Sequence, residues 1–131
     1  MISEETFSIK KTVRSNPPIS GLLCRKIKEK ILGKDYDLSL VFVGVKRSRK
    51  LNMAYRGKDK ATDILSFPIS NNEGEIFINP DSLKVKARLH NRNEKNYFYF
   101  LFIHGLVHLK GFAHGSRMES EEKKYRAIWK I

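Results

Sequence analysis

Three of the four histidines in this chain, His104, His108 and His114, fall within the stretch FLFIHGLVHLKGFAHG at residues 100–115, while His90 stands apart. On a helix, residues four apart share a face with Cβ atoms about 5–6 Å from each other, so His104 and His108 can grip one ion. Gly111 follows where such a helix must stop, and its access to positive φ lets the chain turn back and return His114 to the same centre. Three neutral nitrogen ligands with one coordination position left open describe a catalytic zinc site rather than a closed structural one. The same donors also suit nickel or another transition metal. Packed core histidines are the bland alternative, and the triple spacing with its glycine argues against it. The spacing also matches the long zincin protease signature, in which a glutamate follows the first histidine as general base. Here Gly105 holds that place, so a peptidase reading loses its base.

A helix has to carry this cluster. Asn93 can cap it, and it is expected to run from about Glu94 to Lys110; with apolar side chains nearly all round, it is a buried helix. Before it, Phe7 to Val13 reads as a first strand. Pro17 and Pro18 mark a helix start, with Ile19, Leu22, Leu23, Ile27 and Ile31 at helical spacing, Gly33 as the stop, and Arg25, Lys26, Lys28 and Lys30 on the outer face. The run LSLVFVGV from Leu38 to Val45 is apolar enough for a central strand covered on both faces. Ser48 can cap a short helix ended by Gly57, with Leu51, Ala54 and Tyr55 inward and Lys50 and Arg56 outward. A strand from Ile64 to Phe67 is expected to stop at Pro68, with turn residues at Asn71 to Gly74 and a hairpin partner from Glu75 to Ile78. Asn79 and Pro80 look like a cap and first position of a further helix, although Leu83, Val85, Ala87 and Leu89 alternate and would equally suit a strand. Ser116 and Glu119 form a possible capping box for a last helix, and helix N-terminal charge is the favoured role for Glu119, Glu121 and Glu122 over an approach to the metal. The expected fold is therefore α+β: a single domain over residues 1–131, with a small mixed β-sheet of about four strands packed against helices and a buried central helix carrying the metal ligands.

Net charge is +12, from 26 Lys plus Arg against 14 Asp plus Glu. Such an excess attracts polyanions, RNA among them, through a salt-sensitive interaction. A single cysteine, Cys24, rules out an internal disulfide and sits among Leu22, Leu23 and Ile27 as buried filler. The opening MISEETFSIKK mixes both charges, so no cleaved leader is expected there. The longest apolar run, Tyr97 to Leu109, is too short for a bilayer and is interrupted by histidines. The expectation is a soluble cytoplasmic protein.

Three segments, LNMAYRGKDKATDILSFP at Leu51 to Pro68, GEIFIN at Gly74 to Asn79 and HGLVHLKGFAH at His104 to His114, resemble in this order the signature segments of the YbeY family of bacterial endoribonucleases. The resemblance implies an α+β fold and zinc on His104, His108 and His114. It also implies an rRNA substrate, processed at the 3′ end of the small-subunit RNA, and a part in ribosome quality control, with the ribosome or its proteins as partners. Arg56, of the Tyr-Arg pair, would be the functional arginine, whose guanidinium offers a bidentate fork to phosphoryl oxygens. Apart from the resemblance, Lys58 and Lys60, with Arg47 and Arg49, are read either as lining the RNA path or as cations on solvated loops, while Thr62, Asp63 and Ser66 are read as structural. The chain departs from the family pattern at Ala113, where an aspartate is common, and at Ala61, where a proline is usual. The reading from a different class is a non-catalytic RNA-binding ribosome assembly factor with a structural zinc.

Overall fold

The computed structural model describes residues 6–17 and 19–131. Four strands, β1 (Phe7–Lys11), β2 (Asp37–Phe42), β3 (Ile64–Ser70) and β4 (Glu73–Ile78), form one sheet in the order β1-β2-β4-β3. Strand β2 runs parallel to both β1 and β4, and β3 returns antiparallel to β4 as the expected hairpin. Five helices accompany it: α1 (Gly21–Ile31), α2 (Val45–Arg56), α3 (Leu83–Leu89), α4 (Glu94–Leu109) and α5 (Ser116–Ile128). The α+β expectation with a small mixed sheet of four strands holds.

Strand alternation sorts the side chains into two cores. Leu38, Leu40 and Phe42 of β2 and Ile76 and Ile78 of β4 face the larger one, shared with α1, α3, α4 and α5. Val41, Val43, Leu65 and Phe77 face the smaller one, closed by Leu51 of α2 and by Phe67. The sheet is therefore a middle layer, with α2 on one face and α4 on the other. Helix α4 is buried at most positions from Tyr97 to Leu109, with Lys95 exposed and Phe100, His104 and His108 half-buried, and Asn93 caps it by accepting from Asn96 N at 2.7 Å. Asn79 likewise caps a short 3-10 turn before α3, which resolves the alternating Leu83–Leu89 segment as helix.

Several boundaries differ from the sequence reading, each for a local reason. The first helix begins at Gly21 with Ser20 as its cap, because the Ser20 hydroxyl accepts from Leu23 N; Pro18 lies outside the described residues. Lys28 is not on the outer face: it is fully buried, and its ammonium donates to Thr6 Oγ1 at 3.3 Å and Lys34 O at 3.2 Å. Strand β2 stops at Phe42, and Val45 opens α2 instead of ending a strand. Ser48 is inside that helix and holds the following loop, donating to Thr62 O at 2.7 Å and accepting from Thr62 N at 2.9 Å. Of the three residues expected to face inward from α2, Leu51 is half-buried while Ala54 and Tyr55 are exposed; Ser48 and Asn52 are the buried ones. Strand β3 continues through Pro68 to Ser70, which an edge strand tolerates because the missing N–H faces no partner. The Ser116–Glu119 capping box does not form, since Gly115 is the cap and Ser116 the first helical residue. Cys24 is fully buried as expected, and burial pushes its thiol up to about 12, which keeps it inert.

Candidate functional site

A cavity of about 460 Å³ wraps the open edge of β3. His104 and His108 enter it from α4, His114 from the α4–α5 connection, Tyr55 and Arg56 from the last turn of α2, and Asp63 to Phe67 from the start of β3. Helices on opposite faces of the sheet thus both reach the cavity at β3.

Gly105 makes this approach possible. A Cβ at that position would stand 2.8 Å from Ser66 Oγ, 3.0 Å from Ile64 Cδ1 and 3.1 Å from Ile76 Cδ1. The helix therefore lies close on β3 and β4, where any larger residue would have to push these side-chain ends aside, and this places the histidines on either side of it at the strand edge. Gly111 takes φ +112 just after α4, a left-handed turn that brings His114 back beside the helix.

The ring centroid of His114 lies 5.4 Å from that of His104 and 5.7 Å from that of His108. A centroid sits roughly 3.2 Å from a metal bound at about 2.0–2.1 Å, so tetrahedrally placed imidazoles have centroids about 5 Å apart. The observed separations are slightly larger. Among the described residues no group of three His, Cys, Asp or Glu side chains is assembled tightly enough to hold a metal ion as it stands. His114 lies on an exposed connection, where a rotamer adjustment is small and unopposed by packing. Two further observations favour a cation. His104 Nδ1 lies 3.1 and 3.2 Å from the two carboxylate oxygens of Glu122, which only accept, so Nδ1 is the donor of this pair and Nε2 is the nitrogen that would face a metal. His108 Nδ1 is buried with no hydrogen-bond partner among the described residues. Burial lowers the pKa of His108, and the neighbouring His114, His104 and Arg56 lower it further, so its imidazole is neutral at pH 7, as a ligand must be. The donor set thus fits a late transition metal.

Glu122 is a site residue that the sequence reading assigned elsewhere. It lies well inside α5, beyond the first turn where helix N-terminal charge operates, and its side chain is only 9% exposed. Arg126, one turn on, approaches it at 3.7 Å. No sequence spacing announces a contact between two helices joined by a bend.

Arg56 lines the cavity as read from the sequence, whereas Lys58 and Lys60 lie on the exposed loop that follows and are not among the lining residues. Arg47 is exposed on α2, and Arg49 is held by Asp59 at 2.6 and 3.0 Å. Asp63 lines the cavity while accepting from the Tyr97 hydroxyl at 2.9 Å; burial and that carboxylate raise the phenol's pKa, so it stays a donor. Thr62 is held through its backbone by Ser48, and Ser66 packs against Gly105.

The sequence profile of a family described as Endoribonuclease YbeY matches residues 3–128. A curated Endoribonuclease YbeY from Mycoplasmopsis synoviae is 39% identical over 104 residues, 72% of this chain and 67% of that protein. Those from Thermodesulfovibrio yellowstonii and Campylobacter jejuni are each 38% identical, over 70% and 67% of this chain and 61% and 72% of their own lengths. The chain thus spans about two thirds of these relatives. A solution structure from Thermotoga maritima superposes with a TM-score of 0.64 at 26% identity, covering 95% of this chain and 91% of that one.

Proposed function

The chain belongs to the Endoribonuclease YbeY family, and from that premise we propose that it is a metal-dependent, single-strand-specific endoribonuclease. Its proposed setting is the cytoplasm, in maturation of the 3′ end of 16S rRNA and in ribosome quality control, with rRNA and the ribosome or its proteins as partners. No helix among the described residues is long and apolar enough to cross a membrane.

The observation that carries this reading is that His104, His108, His114 and Arg56 line one cavity. His104, His108 and His114 would hold one zinc, or nickel in its place. When bound, such a metal polarises a phosphoryl oxygen or brings the pKa of a bound water toward about 7. Arg56 lines the same cavity, and its planar fork would take two oxygens of the phosphate and stabilise the charge that builds there. Glu122 holds the His104 proton on Nδ1. Gly105 and Ala113 place no carboxylate beside the ligands, so the base that receives the nucleophile's proton is not one of those two positions.

The test compares purified protein with His108→Ala and Arg56→Ala on single-stranded RNA, with and without chelator. Loss of cleavage with His108→Ala and with chelator is expected, together with a larger loss in cleavage than in RNA affinity for Arg56→Ala. Equal cleavage in all samples would remove the metal-dependent reading. Parallel losses of cleavage and affinity at Arg56 would favour the assembly factor with a structural zinc.

A further inference from the structure

Tyr55 was expected inside and stands outside. It is 66% exposed at the end of α2, yet its position is fixed: its ring lies 4.3 Å from that of Phe67, which in turn meets the buried Phe77 edge-on at 5.7 Å. A column of three rings thus rises from the smaller core to the rim of the cavity, with Tyr55 as its last member and one aromatic face toward solvent. Phe67 and Tyr55 both line the cavity that holds Arg56 and the three histidines.

Resting on the ribonuclease reading, we infer that Tyr55 is a nucleobase platform. It stacks an unpaired base of the RNA next to the phosphate held at Arg56. Tyr55 and Arg56 both line the cavity from the last turn of α2, so a phosphate and its adjoining base can meet them in the same space. Stacking on an aromatic face tolerates every base and needs only that the base be out of a duplex. Phe67 already supports the ring on one side, so less side-chain order has to be gained on binding than for a tyrosine without a ring partner. Preference for single strands is then a property of Tyr55, separate from the chemistry at the histidines, and sequence preference at this position is weak.

The test uses an uncleaved 2′-O-methyl oligoribonucleotide carrying one 2-aminopurine, as a single strand and as a duplex, with its integrity checked on a gel. Tyr55→Leu keeps an apolar contact with Phe67 and removes the stacking face; Tyr55→Trp keeps both. Tyr55→Leu and Tyr55→Ala should weaken single-strand binding by about 5- to 150-fold and abolish quenching of the 2-aminopurine, with Tyr55→Trp near wild type and duplex binding unchanged. Equal binding by all variants, or equal losses for strand and duplex, would overturn the inference. Wild-type cleavage with binding indifferent to Tyr55 defeats the platform alone. Binding that depends on Tyr55 in a metal-loaded protein that cleaves no RNA supports the platform and defeats the nuclease.

Discussion

At His104 the question is which ring nitrogen carries the proton. A histidine that donates from Nδ1 to a carboxylate has its Nε2 lone pair available and its ring orientation fixed, and removing such a partner typically lowers metal affinity about 10- to 100-fold. Glu122 is placed for that task, 3.1 Å from Nδ1 and steadied by Arg126. Glu122→Gln offers an amide that can donate to an unprotonated Nδ1 as easily as accept from Nδ1–H, and the first arrangement puts the proton on Nε2, where a metal would bind. Competition with a zinc-sensitive dye should therefore show affinity reduced by about 10- to 100-fold. Circular dichroism should show an unchanged helix content. Unaltered zinc affinity would assign Glu122 a packing role. The three histidines themselves were legible from spacing because two lie on one helical face and a glycine turn returns the third. Glu122 was not, because its partner is on another helix, and the meeting of α4 with α5 depends on how the intervening bend packs.

At the scale of elements, the site depends on how close α4 comes to β3. The cap at Asn93, the stop near Gly111, the hairpin of β3 and β4 and the two-sided burial of β2 were all readable, because each follows from a residue's own backbone preference or from a short periodicity. What the sequence hid were tertiary overrides. Lys28 occupies an outer helical position by pattern but is drawn in by the backbone oxygen of Lys34 and the hydroxyl of Thr6. Val45 belongs to an apolar β-branched run yet starts α2, and Tyr55 follows Ala54 outward because Ser48 and Asn52 take the buried face to hold the 57–63 loop. Gly105 belongs with these: as sequence it is an absent glutamate, as structure it is the contact point of helix and sheet. Alanine there gains about 1 kcal/mol of helix propensity and loses part or all of it to overpacking against Ser66, Ile64 and Ile76. Valine recovers less of that propensity and extends further, so urea unfolding should place Gly105→Val about 1–3 kcal/mol below wild type and Gly105→Ala at or slightly above it. A valine variant as stable as the native protein would mean that α4 does not need this approach.

For the molecule as a whole, the net charge of +12 is large for 131 residues, and its usefulness depends on which cations remain free to meet phosphate. Arg49 is held by Asp59, whereas Arg56 lines the cavity with no ion pair shown for it among the described residues. Each phosphate neutralised on a single strand contributes about −0.7 to the slope of log affinity against log salt. If Arg56 takes a phosphate of the bound strand, Arg56→Ala should flatten that slope by about 0.7, measured by titrating a single-stranded oligoribonucleotide at several salt concentrations. Arg49→Ala should leave the slope at its wild-type value, because the charge it removes is already matched by a neighbouring carboxylate. The pair of measurements separates a local phosphate contact from a diffuse attraction to a basic surface: equal flattening by both substitutions would mean that the overall charge, and not the cavity, holds the RNA.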